Sequence, residues 1–444
     1  MSRRRLLWII TSVATPVAMA NIAQTLMGLV DTLMVGQLGH VPLAAVGLAT
    51  LLFSAVAMTV KAVDTAVQTF TARRVGEESE DEIGSVLATA LTVVLVAGGL
   101  LTLFGLHWSR PLMQFVNRDP EVCRIGTEYL TWRFPGLLPF LVFFIFRGVF
   151  DGIGWTRIGM AVGICMNLAN ALLNYVFIFG VLGAPALGAP GAALASSLSS
   201  VLAALVIVGI ALQPAIRKRY RLLYRRNLNP RLLGPFLRIA WPPAAQSLGV
   251  IVALLFFFTI LGQISTVAVA AGNVVMRIAA LSFMPGFGVG VAVQTLVSQA
   301  LGRRDPRSAV RVGWGGVGLS VLFMGSFGVL FLLLPGALLR LFTTSEELVT
   351  AGMPILRLMG FVQVIEAVGL TLAGALRGAG ATRTVMLVDL VCGLCLLPPC
   401  AYLFGVVWQG GLLGAWFALL LWFSLYAIGM VYWFLRGDWK TIKV

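Results

Sequence analysis

Gly148-Val-Phe-Asp-Gly152-Ile-Gly154-Trp-Thr156-Arg157 returns 226 residues later as Gly374-Ala-Leu-Arg-Gly378-Ala-Gly380-Ala-Thr382-Arg383. Two further matches fall at the same offset. Ala66-Val-Gln-Thr69 becomes Ala292-Val-Gln-Thr295, and Pro16 becomes Pro242. Gly76 and Gly302 keep the register as well. Three separated matches in one register are hard to obtain by chance in apolar sequence. The chain is read as two copies of one structural unit.

What each copy contains follows from composition. Of 444 residues, 59% are apolar and 11% charged, and the mean hydropathy is +0.95. Apolar runs near the length of a bilayer-crossing helix recur throughout, so the fold class is an all-α polytopic membrane protein. Twelve spans are expected, at about 8–35, 43–70, 84–106, 126–150, 158–182, 190–212, 236–261, 267–298, 310–334, 351–376, 384–407 and 412–435. The repeat divides them into two six-helix lobes, an N-terminal lobe over 1–212 and a C-terminal lobe over 236–444. The basic linker 213–235 joins them. An even number of spans gives both lobes the same topology, with a cavity expected between them near the midplane.

The formal charge of +15 is placed between spans rather than along a nucleic-acid face. Arg73, Arg74, Arg157, the linker from Arg217 to Arg231 (including Arg225 and Arg226), Arg303, Arg304, Arg307, Arg383, Arg436, Lys440 and Lys443 fall on one side. Few basic residues fall on the other. Both termini are therefore expected in the cytoplasm, with the apolar run after Arg3-Arg4-Arg5 kept as a first span. The acidic run Glu77–Glu82 reads as a solvated loop on the same side.

Ionisable groups inside spans are functional candidates by default. Asp31 lies in Gly28-Leu-Val-Asp-Thr-Leu-Met-Val-Gly-Gln-Leu-Gly39, late in the first span. Its repeat counterpart is Phe257, while Gln24 becomes Val250 and Asn174 becomes Cys400. That asymmetry argues for a polar site in the N-terminal lobe. The competing reading is a carboxylate at the outer interface, because only a short apolar run separates Asp31 from Gly36. Asn167, Asn170 and Asn174 share one face of span 5, as interhelical glue or cavity lining. Ser196 and its neighbours in span 6 are weaker candidates, since membrane helices use Ser for close packing.

Pro16 and Pro242 interrupt spans 1 and 7 and read as kinks or hinges. Lys61 and Asp64 are spaced for an intrahelical pair. Glu366 and Arg277 either neutralise one another or leave a second polar site at Glu366, and Asp389 reads as solvated at a span end. Cys392-x-x-Cys395 lies in an apolar span with no second pair, so it reads as core, not metal. No phosphate-binding loop, catalytic triad or metal-ligand set is found, so no enzymatic activity, catalytic residue or bound cofactor is expected.

Val30–Gly39 resembles the first-helix signature of the multidrug and toxic compound extrusion (MATE) transporters. Gly148–Arg157 and Gly374–Arg383 resemble that family's repeated segment. The resemblance covers essentially the whole chain. Span 7 lacks an acidic residue, which makes the chain more similar to the DinF-like than to the NorM-like branch. The resemblance implies efflux of cationic, often aromatic compounds in exchange for H+ or Na+. It places the coupling site at Asp31, with Gln24, Asn170 and Asn174 beside it and Pro16 at the bend. Asn174 stands where the family often has Asp, which leaves Asp31 with more of the work. The same reading expects a monomer in the bacterial cytoplasmic membrane that meets organic cations and lipid but no nucleic acid. A lipid-linked precursor flippase of the same broad superfamily is the alternative function. It is disfavoured because the basic residues cluster outside the spans.

Overall fold

In a computed structural model the described residues are 3–224 and 227–442, and the side chain of Arg3 is outside the description. Arg225, Arg226 and Lys443, counted above for orientation, lie outside it too. Among the described residues there are twelve helical stretches long and apolar enough to cross a membrane, and no strand. Each coincides with one expected span to within six residues at either end, except the third, which runs to Val116, ten residues past its expected end.

The first half runs α1 (Arg3–Gly36), α2 (His40–Lys61), α3 (Val63–Gly76), α4 (Ile83–Val116), α5 (Pro120–Arg133), α6 (Leu137–Ile153), α7 (Thr156–Phe179) and α8 (Ala189–Ala211). Two of its spans are broken. A turn at Ala62 separates α2 from α3, and a 3-10 turn over Phe134–Gly136 separates α5 from α6. After the short α9 (Pro214–Arg219) come α10 (Pro230–Ile264), α11 (Thr266–Gly302), α12 (Pro306–Leu333) and the short α13 (Pro335–Arg340). The chain closes with α14 (Glu346–Gly378), α15 (Thr382–Leu390), α16 (Leu397–Tyr402) and α17 (Gly411–Arg436). Two π-helical turns, Val391–Leu396 and Leu403–Val407, flank α16.

Local chemistry starts and stops these helices. Asp119 accepts from the Glu121 and Val122 amides, with Pro120 at the first turn of α5. Asp305, with Pro306 behind it, caps α12 by accepting from Ser308 N at 2.9 Å. Because both the hydroxyl and the amide of Ser308 favour its charged form, the Asp305 carboxyl is held below its ordinary value. Gly154 ends α6 and Gly380 follows α14, both left-handed (φ 99 and 91), a backbone that glycine adopts at no steric cost.

The repeated motifs touch one another within each half. A Cβ on Gly152 would come within 3.0 Å of the Gln68 carbonyl, and one on Gly378 within 3.0 Å of the Gln294 carbonyl. Likewise Gly148 faces the Asp64 carbonyl and Gly374 the Gly290 carbonyl. Each facing pair keeps the 226 offset, so the glycines let α6 approach α3, and α14 approach α11, at backbone distance.

The chain divides into two compact units. One is Ala20–Ala244; the other takes the chain before and after it. The division cuts α1 and α10 just past Pro16 and Pro242, rather than at the linker. In the second unit Leu6, Ile10, Val13 and Ala14 join the core built by the later helices. In the first, Phe236 of α10 packs on Phe70 at 5.7 Å between ring centroids. The acidic run is largely exposed, as expected of a solvated loop, and most of it is also paired. Arg74 holds Glu77 and Glu82, Arg219 holds Glu80, and Arg221 holds Asp81, so the start of the linker is tied to the turn between α3 and α4.

Candidate functional site

Within the unit Ala20–Ala244, three helices converge on Asp31. Asn174 of α7 donates from Nδ2 to Asp31 Oδ1 at 2.5 Å. An ionised carboxylate only accepts, so Asn170 turns its amide nitrogen toward it. In that orientation Nδ2 donates to Asp31 Oδ1 at 3.2 Å, and Oδ1 accepts from Ser196 Oγ at 3.1 Å and Ser196 N at 3.2 Å. The spacing of four along α7 puts both amides on one face, one turn apart. Asn170 is 6% and Asn174 0% exposed. Asn174 Oδ1 is buried with no hydrogen-bond partner. An unpaired buried acceptor beside a carboxylate is costly unless a proton donor or a cation meets it.

The structure thus brings together Asp31, Asn170, Asn174 and Ser196. Gln24 and Asn167 are half-buried and, among the described residues, neither makes a side-chain hydrogen bond. Pro16 belongs to the other unit, inside an α1 that stays helical through it. At the repeat position of Asp31, Phe257 is fully buried and edge-to-face with Trp416 at 5.8 Å between centroids. One half carries a polar cluster where the other carries apolar core.

Three neighbours escaped the sequence reading. Arg133, the last residue of α5, acts electrostatically on Asp31, as does Tyr129 one turn earlier. Thr50 of α2 donates to Tyr129 Oη at 3.3 Å. The signal was present in Arg133-Phe-Pro-Gly136, an ionisable residue ahead of a proline and a glycine inside an apolar span. A second charged group lies in the same unit. Lys61 and Asp64, separated by the turn at Ala62, sit with Arg147 rather than as an isolated pair. Lys61 Nζ stands 4.2 Å over the Phe144 ring, and Arg147 Nε meets Asp151 Oδ2 at 3.3 Å.

In the second unit the expected neutralisation of Glu366 by Arg277 does not form. Arg277 is exposed, whereas Glu366 is 9% exposed with Oε2 buried and unpartnered. The two residues project from α11 and α14 into different surroundings. The charged neighbour of Glu366 is instead Asp389. Asp389 is not solvated. It is 8% exposed and accepts from Gln246 Nε2 at 2.6 Å, while Arg377 donates to Gln246 Oε1 at 2.9 Å. Gln363, one turn before Glu366, has both amide atoms buried without a partner. Cys392 and Cys395 are free thiols, and among the described residues no group of His, Cys, Asp and Glu is arranged to hold a metal.

Known proteins bear on the whole chain. The MatE family model matches twice, over residues 16–176 and 242–403, in the register of the internal repeat. A probable multidrug resistance protein NorM of Thermotoga maritima is 28% identical over 437 residues, covering 97% of this chain and 92% of the relative. The Synechococcus protein of the same name is 31% identical over 385 residues, covering 85% and 82%. A crystal structure of MATE in complex with MaL6 superposes with a TM-score of 0.91 at 23% identity, covering 98% of both chains. The eukaryotic MATE transporter AtDTX14 does so at 0.87 and 17% identity, covering 99% and 97%. At these identities the structures speak for the fold alone. The family match spans both halves of the chain, which therefore belongs to the MatE family of membrane transporters and is not an enzyme.

Proposed function

We propose that this chain is a secondary active antiporter that exports cationic, lipophilic organic compounds in exchange for H+ or Na+, with Asp31 as the coupling site. The relatives named multidrug resistance protein NorM support the substrate class. The observation that carries the site is the carboxylate of Asp31 held by two amides while Asn174 Oδ1 stays buried and unpartnered. That is an acceptor-rich pocket suited to a cation or a proton. With Asp31 ionised, the pocket attracts an organic cation, and the half-buried Gln24 and Asn167 lie along the same helices to meet it. Binding of the coupling ion at Asp31 cancels that attraction and favours release. Alternating access then returns the site to the cytoplasm, with α1 bending past Pro16.

Glu366, beside Asp389 rather than Arg277, forms a second polar site in the other unit. The excess of basic residues in the loops expected on the cytoplasmic side supports cytoplasmic termini in the bacterial cytoplasmic membrane, where the chain is read as acting as a monomer. A C-terminal reporter active only in the cytoplasm tests the orientation.

The function is tested with purified protein in liposomes. Efflux of a panel of organic cations is followed under an imposed pH gradient and, separately, an imposed Na+ gradient. The proposal expects at least one cation to move against its own gradient with one coupling ion. Flux of none of them under either gradient refutes it.

A further inference from the structure

We infer that Arg133 is the internal counter-ion of Asp31, and that it turns neutralisation of the carboxylate into active expulsion of a cationic substrate. The inference rests on the coupling role proposed for Asp31 and names the residue that sets the charge of that site.

The backbone that carries Arg133 is fixed. Pro135 brings no N–H to continue α5, and the break would leave carbonyls bare. Ser197 Oγ, on α8 next to Ser196, donates to the Trp132 carbonyl at 2.7 Å and the Arg133 carbonyl at 3.3 Å. A Cβ on Gly136 would collide with Ser197, so α8 sits directly against the break. The side chain is held as well. Its guanidinium carbon lies 4.1 Å from the Phe53 ring centroid.

The same guanidinium lacks a contact partner of opposite charge. Nη1 is buried with no hydrogen-bond partner, and among the described residues no carboxylate lies within 4.0 Å of it. The groups that face it are Tyr129 on its own helix, the Phe53 ring of α2, and Asp31 of α1. Those that face Asp31 are Arg133 and Tyr129 of α5 and the amides of α7. Asp31 is therefore the only carboxylate acting on Arg133 among these neighbours, and the half-buried guanidinium is held in place by its stack on Phe53 with Nη1 buried.

Charge follows directly. With Asp31 ionised, the carboxylate and guanidinium cancel, and the cluster draws a cation only through the local field of the carboxylate. Once Asp31 takes a proton, the field of Arg133 is uncompensated and the cluster becomes net positive. An organic cation then meets repulsion, not merely lost attraction. The swing is still one charge, but the fixed cation moves it from attraction-to-neutral to neutral-to-repulsive.

The test uses the full chain with Arg133→Gln, which removes the charge but keeps a polar, shorter side chain, and Arg133→Lys, which keeps the charge. Binding of tetraphenylphosphonium and of uncharged triphenylphosphine oxide is measured at alkaline and mildly acidic pH. For Arg133→Gln the expected result is cation binding at acidic pH tightened about tenfold, with uncharged-probe binding unchanged. The cation is tightened by a similar factor at alkaline pH, because the fixed charge acts equally on both states of Asp31, and Arg133→Lys returns both affinities toward the wild type. A merely structural role moves both probes together and is not rescued by Lys. Equal changes for the two probes, or a Gln variant that binds the cation at acidic pH no more tightly than the wild type, overturns the inference. If such a variant accompanies a wild type that exports cations, only this inference fails. Absence of cation binding and export in the wild type removes the coupling proposal and this one with it.

Discussion

Replacing the repeat glycines by alanine separates packing from helix propensity. In an exposed helix interior, Gly→Ala stabilises by about 0.5–1 kcal/mol, because alanine loses less backbone freedom on folding. At Gly378 the added Cβ would press within 3.0 Å of three backbone atoms of Gln294, its O, C and Cα. Backbone cannot rotate aside as a side chain does, so α14 and α11 must part. Overpacking of that kind costs about 1–3 kcal/mol. Set against the propensity gain, and with the contact at the upper end of that range, Gly378→Ala loses about 1–2 kcal/mol. At Gly148 the new atom would stand 3.1 Å from the Asp64 carbonyl and 3.3 Å from Val67. A few tenths of an ångström of adjustment suffice there, and the net loss falls below about 1 kcal/mol. Gly209 in α8 has nothing within 4 Å of the added atom, so Gly209→Ala is neutral or stabilising. The assay is thermal unfolding of detergent-purified protein, with each variant compared at equal concentration. Gly378→Ala melting with the wild type, or Gly209→Ala losing as much as Gly378→Ala, refutes the reasoning.

Other consequences are independent of that packing. Gln246→Leu removes the donor to Asp389 Oδ2, which is buried, and the acceptor from Arg377, which is part-buried, within one unit. A lost hydrogen bond to a charged group costs about 1.5–3 kcal/mol, so the melting temperature falls clearly, and an unchanged value refutes the bridge. Asp305→Ala removes the cap of α12 and costs about 1 kcal/mol at neutral pH. The folded-state value of Asp305 is lowered, so the stabilisation is present above the ordinary carboxylate value and is lost as pH falls through the lowered one. Wild type and variant therefore converge at acidic pH in a melting series, and a constant difference contradicts the cap.

Twelve spans were legible because crossing a bilayer demands long apolar helices, and those leave their length in the chain. The repeat was legible because two backbones in contact, Gly152 on Gln68 and Gly378 on Gln294, tolerate little besides glycine. Asp31, Asn170 and Asn174 could be grouped by comparing halves and by resemblance. What could not be read is rotation about helix axes. Glu366 and Arg277 both look buried in a linear sequence, yet one faces Asp389 and the other is exposed. Arg133 was missed for the same reason, since only the break at Phe134–Gly136 and the placement of α8 bring it to Asp31. The division of α1 and α10 just past their prolines likewise depends on packing partners that no local pattern announces.

The central claim is that Asp31 couples ion entry to substrate exit. Its most direct measurement is gradient-driven organic-cation efflux from proteoliposomes containing Asp31→Asn, beside wild type at matched protein content. Asn keeps the size and still accepts from Asn174, but it carries no charge and takes up no proton. The expected result is that the imposed gradient no longer drives efflux, while the variant melts close to the wild type. Efflux by Asp31→Asn at the wild-type rate and with the wild-type dependence on the gradient would contradict it.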